Sequence, residues 1–179
     1  IAARVVDENH RDFLIPCSPE SVSAPDGTCA ALFLRDTGRL LNRKPLENTR
    51  LSELVDIANY AAEQAEDFYE GLALALEAIL ISPDFIFIVD QREPDPDRPG
   101  FDRLDNFSLA SRLSFFLWNA PPDEALLTAA ESGDLYDDET LLRETNRMLA
   151  SSRLESGMRA FLDDMLGFDE FNSLAKDPS

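Results

Sequence analysis

The side chains with the most specific chemistry in this 179-residue sequence are scarce: one histidine, two cysteines, one tryptophan and three methionines. The sole histidine, His10, rules out a multi-histidine metal site within the chain. Cys17 and Cys29 bracket a loop rich in proline, serine and glycine, and neither belongs to a CxxC or CxxCH pattern. A thioredoxin-like dithiol and covalent c-type haem attachment are therefore not encoded here. The two thiols could close the loop as a disulfide, worth about 3 kcal/mol for a loop this short. They could equally be separate buried thiols, and the spacing leaves both readings open.

Arg112 stands out because its neighbours, from Ala110 to Trp118, are otherwise apolar or small. A guanidinium there needs a carboxylate or helix carbonyls, so it is expected to form a structural ion pair rather than an anion clamp. Trp118 could stack on a sugar or a haem edge, but at the end of an apolar helix it is expected as a core aromatic with its N–H on a carbonyl. Met148, Met158 and Met165 fit helical stripes better than they fit haem or copper ligation. Asp90, Glu93, Asp95, Asp97, Asp102 and Asp105 offer oxygen donors that suit calcium, without the order of an EF-hand loop, and read as a solvated segment. The adjacent acids Asp163-Asp164 and Glu66-Asp67 point in different directions on a helix, which makes them poor acid–base pairs. No GxSxG, P-loop, GxGxxG or HExxH pattern occurs, and no catalytic, cofactor-binding or metal-ligating residue is assigned.

The elements that would carry these residues are helices. Residues 1–28 read as an extended lead-in, with Val5-Val6 and Phe13 to Ile15 as short extended pieces, followed by the cysteine-bracketed loop. From Cys29, a helix places Phe33, Leu34, Thr37, Leu40 and Leu41 on one face and stops before Pro45. A second helix runs from about Leu51 to Ala65 with an alanine-rich inner face, and a third from about Phe68 to Ile81, ended by Ser82-Pro83. Phe85 to Val89 is too short to assign. Residues 90–105, with three prolines, Gly100 and many charges, have the composition of a linker.

In the second half, Asp105 or Asn106 caps a helix reaching Trp118, with Leu109, Ala110, Leu113, Phe116 and Leu117 inward. Pro122 is expected in the first turn of a short helix favoured by Asp123 and Glu124, and Gly133 follows its end. Asp137 or Asp138 starts another through Leu141, Leu142, Thr145, Met148 and Leu149. A last helix, about Arg153 to Leu166, is expected to bury Leu154, Met158, Phe161, Leu162 and Met165. The tail from Phe168 to Ser179 shows no cap, as if the chain stopped in mid-architecture. The expected fold is all-α: about seven helices in two packed subdomains, 29–89 and 106–179, joined by the acidic, proline-rich stretch 90–105. No convincing strand pair is expected.

Composition bounds the partners. The formal net charge of −19 argues against nucleic acid and anionic membranes, which require a positive footprint. No apolar run approaches the length of a transmembrane span. No basic stretch followed by an apolar run opens the sequence, as a signal peptide would, although a mature or excised fragment would lack one too.

Two groups of phrases carry a resemblance. One comprises Cys29-Ala30-Ala31, then Leu41-Asn42-Arg43-Lys44-Pro45-Leu46, Gly71 to Leu80, and Ile81-Ser82-Pro83-Asp84-Phe85-Ile86. The other comprises Leu109-Ala110-Ser111-Arg112-Leu113-Ser114-Phe115-Phe116-Leu117-Trp118, Pro122-Asp123-Glu124 and Arg147-Met148-Leu149-Ala150. Together they resemble the tandem domains of unknown function numbered 1595 and 1592, found in large secreted proteins of planctomycetes and some proteobacteria. Asn42 replaces the first arginine of that family's double-arginine phrase. The resemblance implies an exported, secreted, periplasmic or cell-surface protein with modules on both sides, sometimes including a c-type cytochrome domain. An oxidising compartment also favours a Cys17–Cys29 disulfide. It supplies no catalytic residue.

The expected function is a non-catalytic scaffold or interaction module whose partners are other modules of the same protein or of a complex. One alternative is part of a redox assembly whose haem lies outside this segment. The other is a glycan- or calcium-binding surface protein, suggested by the acidic stretch and Trp118.

Overall fold

The computed structural model describes residues 1–167. The expectation for the tail beyond Phe168 lies outside the described residues. Two compact units divide the chain, 1–89 and 90–179.

The first unit contains α1 (Ala2–Val5), α2 (Arg11–Leu14), α3 (Gly27–Asn42), α4 (Asn48–Ala65), α5 (Phe68–Leu80) and α6 (Pro83–Ile86). The opening residues are helical turns, not the extended pieces expected. Ala2, Val6 and Ile15 reach the core, so tertiary burial overrides the weak local pattern. Asp26 caps α3 by accepting the Thr28 and Cys29 N–H groups at 3.0 and 2.9 Å. These bonds, the Cys29 one foremost, hold its carboxyl below the usual aspartate range.

A two-residue connection links α4 and α5 into a helical hairpin. Glu66 takes the left-handed conformation (φ 52°), and Asp67 caps α5 by accepting from Tyr69 and Glu70. The hairpin is unusually close at one point. A Cβ on Gly71 would lie 2.3 Å from the Ala58 carbonyl oxygen and 2.7 Å from Ala62. Ala58 and Ala62, from the alanine-rich inner face expected of α4, are buried there with Leu51 and Leu54. Phe33, Leu34, Phe68, Leu72, Leu76 and Ile79 complete the core. Leu40, expected inward, is exposed; Gly38 and Asn42 occupy the buried side of α3 near its end. Ser82 then caps α6, with Pro83 in its first turn.

The second unit begins where a linker was expected. Residues 92–94 (β1) and 102–104 (β2) form an antiparallel hairpin with Arg92 opposite Leu104, Glu93 opposite Arg103 and Pro94 opposite Asp102. It is held to the rest of its unit: the Gln91 N–H donates to Ser108 Oγ at 2.8 Å, and Tyr136 Oη donates to the Leu104 carbonyl at 3.0 Å. Arg103 stacks 3.4 Å from the Tyr136 ring centroid and pairs with Glu93. Proline-rich composition and charge hid a cross-strand pair that only the fold brings together.

After the hairpin come α7 (Asn106–Trp118), α8 (Glu124–Glu131), a 3-10 turn (Asp134–Tyr136), α9 (Asp138–Leu149) and α10 (Arg153–Leu166). Asp105, Asp123 and Asp137 cap α7, α8 and α9. Asp123 is itself the cap, so Pro122 lies before α8 rather than within its first turn. The core holds Ala110, Leu117, Trp118, Leu126, Ala130, Leu135 and Met148. Two expectations of burial fail: Phe116 is 83% exposed, and of the α10 stripe Met158, Phe161, Leu162 and Met165 are open while Leu154 packs on the core. Helix α7 turns its serines inward instead, with Ser108, Ser111 and Ser114 buried. Ser114 Oγ satisfies itself on the Ala120 carbonyl at 2.6 Å.

Of the described helices, seven have eight or more residues, α3, α4, α5 and α7 to α10, and the chain is all-α apart from the small hairpin. Among the described residues, no helix is long and apolar enough to cross a membrane.

Candidate functional site

The cysteines, Arg112 and Trp118 each have a partner inside their own unit. Cys17 and Cys29 form a disulfide that joins the loop after α2 to the first turn of α3. The Arg112 guanidinium grips Asp90 through Nε, at 3.0 Å from both carboxylate oxygens, and through Nη2. This pairing holds the Asp90 carboxyl below the usual aspartate range and raises the arginine. Arg112 therefore fastens the start of the hairpin to α7 and does not present a free cation to an anion.

Trp118 is 3% exposed and donates Nε1–H to the Met148 carbonyl at 3.0 Å. Arg153 and Arg147 lie 5.0 and 5.7 Å from its ring. A sugar cannot reach an indole so enclosed, which removes the stacking role on which the glycan alternative leaned.

Beside Trp118 is a cluster the sequence reading did not single out. Arg147 donates to the two carboxylate oxygens of Asp123 at 2.7 and 2.9 Å and to Glu144 at 2.8 Å. Burial pushes the Asp123 carboxyl up, but the Arg147 bonds and the Leu126 N–H outweigh it, and it lies below its ordinary value. Asp123 thus caps α8 and ties it to α9 with one side chain. Gly157 completes the cluster: a Cβ there would sit 2.1 Å from the Leu117 carbonyl oxygen, so α10 crosses α7 backbone to backbone.

Arg43 was likewise missed. It ends α3 in the left-handed conformation (φ 60°) and is 8% exposed. Its guanidinium donates to the Leu41 and Phe85 carbonyls at 3.3 Å, to Phe87 at 2.9 Å and to Asp84. Burial depresses the guanidinium, the neighbouring Asp84 charge partly offsetting it. No local signal marks this role, because the partners are backbone groups about forty residues away. Asn42, standing where the family phrase has its first arginine, is buried with Oδ1 unpaired among the described residues.

The acidic stretch is similarly engaged. Glu93 pairs with Arg103, Asp95 with Arg98, and Asp105 caps α7, while Asp97 and Asp102 are exposed. Among the described residues no three His, Cys, Asp or Glu side chains converge on a metal position.

A surface hollow of about 440 Å³ lies beside the disulfide, lined by Arg11, Phe13, Cys17, Ser18 and Tyr69, with Arg11 stacked 4.4 Å from the Tyr69 ring. His10 bonds to Asp7 at 2.8 Å, and this bond holds the Asp7 carboxyl low. The pair has the base and orienter of a catalytic dyad, but both thiols are in the disulfide and no hydroxyl is bonded to His10 among the described residues.

What the geometry defines is a class: a disulfide-closed, all-α protein of two units, each stapled internally by arginines. The families are equally definite. Residues 29–90 match the model of PSD5, a protein of unknown function (DUF1595), and residues 104–179 match that of PSD4, a protein of unknown function (DUF1592). The chain carries these two domains in tandem. No curated protein and no solved structure matches it.

The residues quoted for this likeness now have physical roles. In the first domain, Arg43 joins the Asn42-to-Leu46 phrase to the Ser82-to-Ile86 phrase. In the second, Arg147 on Asp123 and Met148 on Trp118 join all three phrases.

Proposed function

We propose that this chain is a non-catalytic helical scaffold and interaction module of a larger exported protein. One observation carries the reading: Arg43, Arg112, Trp118, Asp123 and Arg147, five polar residues of the family phrases, direct their hydrogen bonds into their own unit. A catalytic constellation requires at least a nucleophile or base aimed at open space. The disulfide supports export, since such bonds persist in oxidising compartments. The partners proposed are other modules of the parent protein or of its complex. Any haem of that assembly would be carried outside residues 1–179, which hold one histidine and no CxxCH.

The test uses the parent protein and whatever turnover it shows. Arg147→Met is expected to lower the folded yield while activity per folded molecule stays within about twofold. A hundredfold loss of specific activity with folding intact would place Arg147 in the chemistry and overturn the reading.

A further inference from the structure

The last described helix carries an apolar face that is largely open among the described residues. Met158, Phe161, Leu162, Met165 and Leu166 follow the i, i+3, i+4, i+7, i+8 spacing of a single helical face, yet they are 38% to 58% exposed. Helix α10 seats on α7 through Gly157, one turn before Phe161, with Leu154 packed against the core of the unit. That contact is made backbone to backbone, and the apolar residues that follow it along the helix are left open. Contiguous apolar surface of this kind marks an interaction site. Two methionines and a phenylalanine among the five suit an adaptable contact with a partner helix.

Charge around the face says what kind of partner fits. Arg159 is paired with Glu155 at 3.1 Å, and Arg153 lies over Trp118. Asp163 and Asp164 have no side-chain partner among the described residues. They occupy the last turn of α10, which has no basic residue and where the helix dipole is already negative. Glu155 and Asp163 line a shallow depression with Met158 and Leu162. The uncompensated charge at the rim is therefore acidic. A second copy of a chain with net charge −19 would bring acid against acid.

We propose that this face of α10 binds an amphipathic helix with basic flanks on a partner protein, its apolar side laid along Met158, Phe161, Leu162 and Met165 and its lysines or arginines beside Asp163 and Asp164. The proposal rests on the interaction-module reading and names the partner's chemistry.

The test is fluorescence anisotropy with the 179-residue chain and three labelled synthetic peptides: a leucine–lysine amphipathic helix, a scrambled peptide of the same composition, and a leucine–glutamate counterpart. The ordered lysine peptide should bind at least tenfold tighter than either control. Phe161→Ser with Leu162→Ser should weaken it at least tenfold, and Asp163→Asn with Asp164→Asn by three- to tenfold. Trp118 fluorescence melting should be unchanged in both variants. Should the first variant unfold, Met165→Lys at the far end of the face should weaken binding at least fivefold.

Equal affinity for ordered and scrambled peptides would overturn the proposal, as would insensitivity to the substitutions in folded protein. So would a dimer in sedimentation that Phe161→Ser with Leu162→Ser dissociates. Specific activity of the parent protein judges the scaffold reading separately, so either can fail alone.

Discussion

Replacing Arg147 by methionine removes two charge-assisted bonds to Asp123 and one to Glu144 while keeping most of the apolar stem. Bonds to charged groups contribute about 1.5–3 kcal/mol each when well buried. The Arg147 side chain is 37% exposed and that of Asp123 24%, so solvent screening reduces the sum. About 2 kcal/mol for the Arg147–Asp123 pair is a fair expectation after that discount. In a unit of this size that corresponds to a fall of about 10 °C in melting temperature.

Trp118 is the chain's single tryptophan and lies in the same cluster, so urea unfolding followed by its fluorescence reads this unit directly. A double-mutant cycle with Asp123→Asn isolates the pair, because asparagine can still cap α8. The sign with pH is fixed. The Asp123 carboxyl lies below its ordinary 3.8 in the folded state, so its stabilisation is present above that value and is lost as pH falls through the folded one. The gap between the parent chain and Arg147→Met should be constant near neutrality and close below about pH 4. A coupling energy under about 0.5 kcal/mol, or a gap that persists undiminished to pH 2, would refute the reasoning.

Further outcomes follow from the same structure. Reducing the Cys17–Cys29 disulfide, or replacing both cysteines by serine, should cost the first unit about 3 kcal/mol, seen as a lower urea midpoint by circular dichroism. Gly71→Ala and Gly157→Ala should each cost at least about 2 kcal/mol, because the new methyl meets backbone. Gly38→Ala meets only the flexible Leu46 side chain and should cost less than about 1 kcal/mol in the same denaturation series. Arg43→Lys keeps the charge but cannot reach several carbonyls at once. It should destabilise by about 1–2 kcal/mol and speed amide exchange around α6.

Helix positions were legible in the sequence because their signals are local. The caps Asp105 and Asp137, the stop before Pro45 and the stripe of α5 involve residues within a turn or two of one another. Arg112 needed a carboxylate for the same elementary reason that any guanidinium in an apolar segment does, and Asp90 supplies it.

Which face of a helix is covered is another matter, since periodicity defines an apolar face without saying that anything lies on it. The stripes of α9 and α10 read alike as sequence, yet Met148 is buried while Phe161 and Met165 are open. Gly157 lets α10 touch α7 more closely than any side chain could, while the apolar residues after it are left open. The sequence by itself determined the seven long helices and most of their ends, the acidic charge and the need for partners at Arg112 and Trp118. Only the tertiary structure decided that Arg43 and Arg147 are staples, that residues 92–104 form a hairpin, and that α10 turns its apolar face outward. Those outcomes depend on groups tens of residues apart, whose meeting no local pattern encodes.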